Sequence, residues 1–489
     1  MMLKRQSELP LSQYSALYDM LIPEDHELRR FLELTDFSFV YQELADKYAI
    51  DDGRAAVDPV QMFKYLFLKL YYNLSDRGLI KRAKTDLAFK FFLGLNPEDD
   101  VIHPSLLTKF RRLRLVDDEL MTKLLERSVS IAVDNGVLTS KSIIVDATHT
   151  TSRFNQYSPV EALRKSSKAL RKQLYKADPN IKTSLPEKND KYDLDAERQY
   201  VKRLVGEVKK RSELVARGAV QESMDKLEEV NDDITEYQNY STDHDAKVGH
   251  KTADSKFFGY KTHLAVSQEG IITGAIVTSG EKSDGQYLPD LIEQTIDHGM
   301  AVEEVTADRA YPSKENLKYT DARGITLVAK LNPTISQGLR GEDKGWVYNK
   351  DAGRMVCPAG HMAINKHCKR HSSKARNNQD VYGFDVEKCK VCSLRDGCYK
   401  PGAKSKSYCI TFKTPQQEKQ MALEKRDDFS AKVKLRYKIE AKNAELKDRH
   451  GYRQTWAKDI NAMRLQGAIT LFCVNLKRID SLKAAKNKR

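Results

Sequence analysis

The sequence contains no long apolar run. Its uninterrupted apolar stretches, such as Leu471 to Val474, fall far short of the ~20 residues that a membrane-spanning helix needs. The first residues, Met1 to Leu11, contain no apolar segment that could act as an export signal. These absences predict a cytoplasmic protein that has no membrane partner.

Disulfide bonds are not expected either. The seven cysteines are an odd number, and no export signal accompanies them. Reduced thiols are therefore expected, and metal binding explains the cysteines better than disulfide bonds do. The sequence has no fixed-period repeat and no long low-complexity tract, and its 489 residues are too many for one compact domain.

The chain has more basic than acidic residues. Lysine and arginine number 83 against 69 aspartate and glutamate residues, which gives a formal net charge of +14. A folded protein with an excess of positive surface favours polyanions, and nucleic acid is the usual one. A merely basic enzyme explains the charge equally well, so the function has to be argued from the motifs.

Residues 1–135 have the pattern of an all-α domain. The apolar residues of Pro59 to Leu70 fall on one helical face, with proline in a plausible first turn. Further helical patterns cover Asp76 to Leu93 and Ser105 to Leu115. In the last of these, Arg111 and Arg112 belong to a basic run that either contacts a DNA backbone or forms a solvated face. We interpret the region as a DNA-binding domain.

Strand patterns begin near residue 138. Three β-rich runs come first, and helix and strand patterns then alternate as far as residue 332. This order is that of an RNase H-like α/β fold, a mixed sheet flanked by helices. The core would comprise residues 138–332 and the helical residues 413–489. In that fold the first strand, Ile143 to Thr148, and the fourth, Val302 to Asp308, lie side by side.

Two segments interrupt this core. Residues 155–245 are rich in charged residues and mostly helical in period. They predict a helical insertion that extends over DNA, mediates self-association or serves as a solvated spacer. Residues 333–412 contain six of the seven cysteines, and the density of lysine and arginine around them argues against an apolar core there.

The cysteines of the second insertion have the spacing of a zinc site. Cys389 and Cys392 form a Cys-x₂-Cys knuckle, with Cys398 after it and Cys357 upstream. Four thiolates can surround Zn²⁺ tetrahedrally and leave no open position for chemistry, so the predicted site is structural. Three further residues could replace one of these ligands: His361, Cys368 and Cys409. The alternative is a set of reduced thiols without metal.

Three acidic residues lie in settings that suit metal-ion catalysis. Asp146 lies inside a buried strand pattern, Asp308 ends another, and Glu440 lies in a helical pattern. A carboxylate on a buried strand is costly unless a partner neutralises it, and a divalent metal ion is one such partner. Two strand carboxylates and one on a helix can together hold two Mg²⁺ ions for phosphoryl transfer. Taken singly, each acid could instead be an edge residue, an ion-pair member or a solvated helix residue.

Basic residues accompany the third acid. Arg436 is four residues before Glu440 and Lys447 is seven after it, so the three share a helix face. Glu445 is the alternative third acid, although it is displaced from that face. Three other acids near the sheet are treated as bystanders: Asp243, Asp245 and Asp284.

These residues resemble the DDE transposases of bacterial insertion sequences, in the branch that has an RNase H-like domain and a Tyr-Arg-Glu-Lys signature. Arg436, Glu440 and Lys447 have the spacing of that signature. The segments Asp146 to Thr148 and Ala307 to Tyr311 resemble the first and second catalytic motifs of the family. The resemblance covers most of the chain.

The chain departs from the signature at one position. The signature's tyrosine falls at Val433, and the nearby Tyr437 lies elsewhere on the helix. In the family this tyrosine contacts the transposon end, so the departure bears on how the cleaved end is handled, including any hairpin intermediate.

The resemblance implies an enzyme that cuts the ends of an insertion sequence and joins the freed 3′-OH to target DNA by two-metal-ion phosphoryl transfer. Asp146, Asp308 and Glu440 would hold two Mg²⁺ or Mn²⁺ ions. Four basic residues would neutralise DNA phosphates: Arg436, Lys447, Arg309 and Lys261. The implied partners are double-stranded transposon ends and target DNA at the bacterial nucleoid, with a homodimer on the DNA and no small-molecule substrate.

Other functions remain open at this point. An RNase H-like endonuclease or resolvase would cut without strand transfer. A catalytically inactive DNA-binding protein would need no metal, and the three acids count against it. A zinc-dependent regulator whose charged insertion binds a partner protein would leave the spacing of Arg436, Glu440 and Lys447 unexplained.

Overall fold

The computed structural model describes residues 12–48, 56–115, 119–153, 158–236, 243, 245–250, 255–336, 345–370, 377–456 and 458–487. The segment 1–11, for which the sequence predicts no export signal, lies outside these ranges. Within the described ranges, no helix combines the length and the apolar character that crossing a bilayer requires.

The N-terminal region is helical, as predicted, and its described part contains eight α-helices. They are α1 (Ala16–Leu21), α2 (Glu27–Leu34), α3 (Phe39–Leu44), α4 (Pro59–Tyr71), α5 (Asp76–Thr85), α6 (Leu87–Leu93), α7 (Pro104–Arg114) and α8 (Leu120–Asp134). Helix α4 begins as the sequence predicts, with Pro59 in the first turn and the Asp58 carboxylate accepting from the amides of Val60 and Gln61. The predicted run from Asp76 to Leu93 is two helices, because Asp86 ends α5 and caps α6.

A six-stranded mixed sheet follows. Its strands are β1 (Ser142–Thr151), β2 (Lys247–His250), β3 (Lys256–Ser267), β4 (Ile272–Ser279), β5 (Glu304–Thr306) and β6 (Thr326–Val328). Strand β3 pairs antiparallel with β1 on one side and with β2 and β4 on the other. Strand β5 lies between β1 and β6 and is parallel to both. The predicted α/β class is therefore confirmed, and the predicted first and fourth strands are neighbours.

Strand β1 is longer than its neighbour β5, and part of the sheet edge is therefore left without a paired strand. Only Ser142 to Ile144 of β1 pair with β5, so the rest of β1 extends beyond its neighbour. At the far end of β1, the Thr151 amide donates to the Arg453 carbonyl and the Thr455 amide donates to the Thr151 carbonyl. The polar end of β1 is thus held from the side by a segment near the C-terminus, and a gap remains around Asp146.

The first insertion is helical and has its own apolar core. It contains α9 (Pro159–Ala177), α10 (Leu194–Lys209), α11 (Ser212–Val215) and α12 (Gly218–Glu236). Leucines of three of these helices meet inside it, including Leu170, Leu204 and Leu227. Helix α12 also rests on α5, where Arg77 pairs with Glu228 at 3.5 Å. A solvated spacer would have neither feature.

The rest of the chain comprises helices of the core and the cysteine-rich segment. In chain order these elements are α13 (Leu288–Asp297), α14 (Lys314–Ala322), α15 (Pro333–Ser336), β7 (Val347–Asn349), β8 (Arg354–Val356), β9 (Asn365–Lys369), β10 (Gln379–Phe384), α16 (Val386–Lys390), β11 (Lys406–Thr411), α17 (Pro415–Glu424), α18 (Phe429–Lys434), α19 (Tyr437–Arg449) and α20 (Ile460–Asn487). Helix α19 packs on β1, and the buried middle of α20 packs on α4 and α8.

The cysteine-rich segment contradicts one expectation. The prediction that it lacks an apolar core is wrong, because Trp346, Tyr382, Phe384 and Tyr408 form a small buried cluster there. The Trp346 and Tyr408 rings stack with centroids 4.3 Å apart. The lysines lie instead on outward positions such as those of β9, whose residues are all exposed. Successive residues of a strand point to opposite faces. The short strands can therefore bury their aromatic side chains and expose their lysines, although the segment as a whole is rich in basic residues.

Candidate active site

Asp146 lies in the gap at the edge of the sheet. It is on the part of β1 that has no β5 neighbour, and its Oδ2 accepts a hydrogen bond from Asn443 Nδ2 of α19 at 3.2 Å. Burial raises the pKa of Asp146 to about 6, and the negative charges of Asp308 and Asp284 add to this effect. The Ala147 amide and the Arg436 guanidinium act in the opposite direction. The Asp146 carboxylate is therefore held in a site whose charge is poorly compensated.

Asp308 follows β5 at the same edge. Its Oδ1 accepts from the Ala310 amide at 2.7 Å, which shapes the turn that leads to Tyr311. The Tyr311 side chain is fully buried, and its hydroxyl has no hydrogen-bond partner among the described residues. Burial raises the pKa of the Tyr311 phenol well above its usual value, and so do the charges of Asp146, Asp284 and Asp308. The carboxylates of Asp146, Asp284 and Asp308 thus lie around the buried Tyr311 hydroxyl, which donates a hydrogen bond to none of them.

Asp284 joins this group, although the sequence analysis treats it as a bystander. Lys261 Nζ lies 2.8 Å from Asp284 Oδ1 and also donates to the Lys282 carbonyl at 2.8 Å. The Asn316 amide group donates to the carbonyls of Gly285 at 2.6 Å and Tyr311 at 2.7 Å, which ties the Asp284 turn to the Asp308 turn. The direction of the strands is the feature from which the position of Asp284 could have been predicted. Strand β4 is parallel to β1 and β5 through the antiparallel β3, so the three strands end at one edge.

Glu440 lies near this group without a contact to it. It is in the first turn of α19, its side chain is 61% exposed, and it pairs with Arg436 at 3.8 Å. Asn443, which does contact Asp146, is one turn later on the same helix. In the described part of the chain, no group of three or more His, Cys, Asp or Glu side chains is arranged to hold a metal ion. The structure thus brings Asp146, Asp284 and Asp308 within electrostatic range of one another without a metal-binding arrangement, and it leaves Glu440 at the rim.

The alternative third acid has a different role. Glu445 pairs with Lys442 at 2.9 Å and with Lys477 at 2.8 Å. Burial raises the pKa of Glu445, but the two ammonium groups outweigh this effect and lower it to about 2. Glu445 thus joins α19 to α20. Asp243 is likewise internal, since its carboxylate accepts from the Tyr260 and Ser152 hydroxyls at 2.5 Å and 2.7 Å.

Two family models match the chain. The model described as a transposase domain (DUF772) matches residues 16–113, and the model described as a transposase DDE domain matches residues 233–476. The chain is a DDE transposase. It is accordingly an enzyme of the polynucleotidyl transferase and nuclease type. Asp308 and Glu440 lie within the second matched range, and Asp146 lies between the two ranges. The chain matches no curated protein and no solved structure.

The four basic residues that the sequence analysis assigns to DNA phosphates differ in how they lie relative to the acids of the transposase. Lys447 Nζ lies 3.5 Å from His149 Nδ1 on β1, and Arg436 lies between Glu440 and the three aspartates. Arg309 is exposed beside Asp308. Lys261, by contrast, is bound to Asp284.

The two arginines of α7 have different surroundings. Arg111 makes two hydrogen bonds to Asp76, at 2.9 Å and 2.5 Å, and its side chain is largely buried. Arg112 is exposed. A phosphate contact by Arg111 would break a buried ion pair.

The four selected cysteines of the transposase line one cavity. Cys357, Cys389, Cys392 and Cys398 surround a volume of about 440 Å³ together with His361. Burial raises the pKa of the Cys389 thiol, and the other three cysteines add to the effect. The Leu394 amide donates to Cys392 Sγ at 3.3 Å. The reserve ligands Cys368 and Cys409 lie on β9 and β11 and are not among the residues that line the cavity.

Proposed function

We propose that this transposase cuts DNA at the ends of an insertion sequence and joins the freed 3′-OH to target DNA. The observation that carries the proposal is the convergence of Asp146, Asp284 and Asp308 at one edge of the sheet, around the buried Tyr311 hydroxyl. Strand β5 lies beside β1 and is parallel to it. On the other side of β1, β3 is antiparallel to β1 and pairs antiparallel with β2 and β4. This strand order supports an RNase H-like core.

The donor chemistry of this edge fits a divalent metal ion. Carboxylate oxygens are the ligands that Mg²⁺ and Mn²⁺ prefer. Burial, with a smaller effect of the Asp308 and Asp284 charges, raises the pKa of Asp146, and a bound cation would favour its ionised form. Asp146 and Asp308 would hold the metal, joined by Glu440 from the adjacent helix. Two such ions supply activation of the attacking oxygen and stabilisation of the leaving oxygen.

The chain's own residues would position the DNA. Arg436 and Arg309 stand beside the acids, where they can neutralise the phosphate that is attacked. Lys447, further along α19, can neutralise a neighbouring phosphate. Because two element ends have to be processed together, we propose a homodimer on the DNA, acting in the cytoplasm at the nucleoid.

The cysteine cavity fits a structural zinc ion. We propose that Cys357, Cys389, Cys392 and Cys398 hold Zn²⁺ after a local adjustment of their side chains, since all four line one cavity and a backbone amide donates to one sulfur. Elemental analysis of purified transposase should find about one zinc per chain. The variant Cys389→Ser should lose it and Cys368→Ser should keep it, because Cys368 is exposed on β9. A folded wild-type protein without zinc would contradict the proposal.

Cleavage and binding assays test the catalytic proposal. The DNA is a labelled duplex that carries the sequence flanking the coding region, with Mg²⁺ or Mn²⁺ added. Asp146→Asn, Asp308→Asn and Glu440→Gln should each abolish strand cleavage while DNA binding persists. Glu445→Gln and the exposed Glu315→Gln should cleave at close to the wild-type rate. Normal cleavage by any of the first three variants removes that residue from the site.

A pre-cut end separates transposition from plain nuclease activity. A duplex with a free 3′-OH at the element end is incubated with plasmid target and metal. Joined product supports the strand-transfer step of recombination. Cleavage of intact ends without any joining would assign the endonuclease or resolvase function instead.

A further inference from the structure

A second polar cavity lies beside the candidate active site. It has a volume of about 540 Å³ and is enclosed by the junction of α4 and α5, the helical insertion, and the end of α19 with the segment that follows it. Its described lining includes six basic residues: Lys69, Arg153, Lys165, Lys226, Lys447 and Arg453. Of this lining, the catalytic proposal above uses only Lys447. We name the cavity the insertion cleft.

The charge of the insertion cleft favours a polyanion. Against its six basic residues, the described lining contains two acids, Glu229 and Asp448, an excess of four positive charges among the lining residues. Two acids outside the lining offset part of this excess, since Asp76 pairs with Lys69 at 2.5 Å and Glu222 pairs with Lys226 at 2.7 Å. Both acids of the lining are already engaged, Glu229 with Lys69 at 3.5 Å and Asp448 with Arg453. Side chains of one charge sign around a concave site concentrate its electrostatic field. A chain of phosphates is therefore the class of ligand that the cleft attracts most strongly.

The insertion cleft begins close to the catalytic acids. Lys447 belongs to its lining and contacts His149, which is three residues after Asp146 on β1. At the rise of a β-strand this separation is about 10 Å. A DNA strand has one phosphate for roughly each 3.4 Å of helix axis. The near end of the cleft therefore lies at most about three nucleotides from a phosphate bound at Asp146.

The inner end of the cleft is rigid. Arg153 donates to the Trp456 carbonyl at 2.9 Å, and the Lys69 ammonium lies 4.8 Å from the centre of the Trp456 ring. Lys69 is also held by Asp76 at 2.5 Å. By contrast, Lys165 and Lys226 project from the helices of the insertion and are exposed. The cleft thus has one fixed wall and one wall of long, adaptable cations.

We propose that the insertion cleft binds the backbone of the DNA strand adjacent to the cleaved phosphate, with Lys165 and Lys226 of the helical insertion as phosphate contacts. The proposal rests on the proposed function and deepens it. It gives the insertion a role in DNA binding in cis and does not require it for self-association.

The salt dependence of DNA binding tests the proposal. Fluorescence anisotropy measures Kd for the labelled end duplex over a series of NaCl concentrations. Loss of one phosphate contact lowers the slope of log Kd against log salt by about 0.9, so Lys165→Gln/Lys226→Gln should lower it by about two. The matched control Lys168→Gln/Lys202→Gln removes two exposed lysines of the same insertion that do not line the cleft, and it should keep the full slope.

The position of the contact gives a second, independent measurement. Ethylation of single phosphates within about three nucleotides of the cleavage position should interfere with wild-type binding, and this interference should disappear in the double variant. An unchanged slope, or an altered dimer population with unchanged DNA affinity, overturns the assignment of the cleft. If the wild-type protein also fails to bind or cleave the duplex, the proposed function fails with it.

Discussion

Asn443 Nδ2 of α19 lies 3.2 Å from Asp146 Oδ2 of β1. This contact sets α19 against β1, but its donor is neutral and cannot balance the carboxylate charge. The pKa of Asp146, raised to about 6 by burial and by two neighbouring aspartates, reflects that imbalance. Without metal, the folded transposase therefore stores an electrostatic cost at its active site.

Replacing Asp146 should release this cost. A shift of about two pKa units corresponds to roughly 2–3 kcal/mol. In EDTA at pH 7.5, Asp146→Asn should therefore unfold in urea with a free energy higher than wild type by up to about 2–3 kcal/mol. Added Mg²⁺ or Mn²⁺ should stabilise wild type and should have less effect on the variant.

The pH dependence of this difference has a defined sign. Between about pH 4 and pH 6 the folded state binds more protons at Asp146 than the unfolded state, so wild-type stability falls as pH rises through this window. The amide introduced by Asp146→Asn does not titrate, and the gap between the two proteins should close towards pH 4. A constant gap at all pH values would attribute the effect to packing instead of charge.

Asp284 should matter for cleavage although it lies outside the predicted triad. Asp284→Asn removes the carboxylate that holds Lys261 at 2.8 Å and one negative charge beside Asp146 and Asp308. Removing such a supporting group around a metal site typically costs about 10–100-fold in metal affinity or activity. Cleavage rates over a Mn²⁺ series should show a higher metal requirement. Glu281→Gln, in the same turn but exposed, is the control, and equal metal dependence of both variants would exclude a role for Asp284.

The sequence predicted the parts of the site that depend on chain order. Asp146 lies within β1 and Asp308 follows β5, and the order of strands and helices was sufficient to predict that those strands are neighbours. The pairing of Lys261 with Asp284 could not be predicted in the same way, because it depends on the exact length of the β3–β4 hairpin.

Helix orientation marks the other limit of prediction. Helical spacing puts Arg436, Glu440 and Lys447 on one face, but it does not show that Asn443 is the residue that contacts Asp146. Arg111 was selected for its basic neighbours, whereas the packing of α5 against α7 gives it a buried partner 35 residues earlier. Such contacts depend on tertiary packing, which no local pattern encodes.

Asp76 should be essential for the stability of the helical domain. Burial raises the pKa of Asp76, but Arg111 and Lys69 outweigh this effect and hold the pKa below its usual range. Asp76→Asn would leave two buried cations without their shared partner, at a cost of about 3–5 kcal/mol. Asp86→Asn is the control, because asparagine caps a helix as well as aspartate does and should cost at most about 1 kcal/mol. Equal urea midpoints for the two variants would show that the buried cluster contributes little.

Gly285 should be the most sensitive glycine near the active site. A Cβ added there would lie 2.5 Å from the Ala310 carbonyl oxygen, so Gly285→Ala must separate the Asp284 turn from the Asp308 turn. We expect a loss of about 1–3 kcal/mol in unfolding free energy from this crowding, together with slower cleavage at saturating metal. Gly206→Ala, inside α10 with open space around the added methyl group, should instead gain about 0.5–1 kcal/mol. Wild-type cleavage by Gly285→Ala would mean that the two turns move independently and that their contact does not set the geometry of the acids.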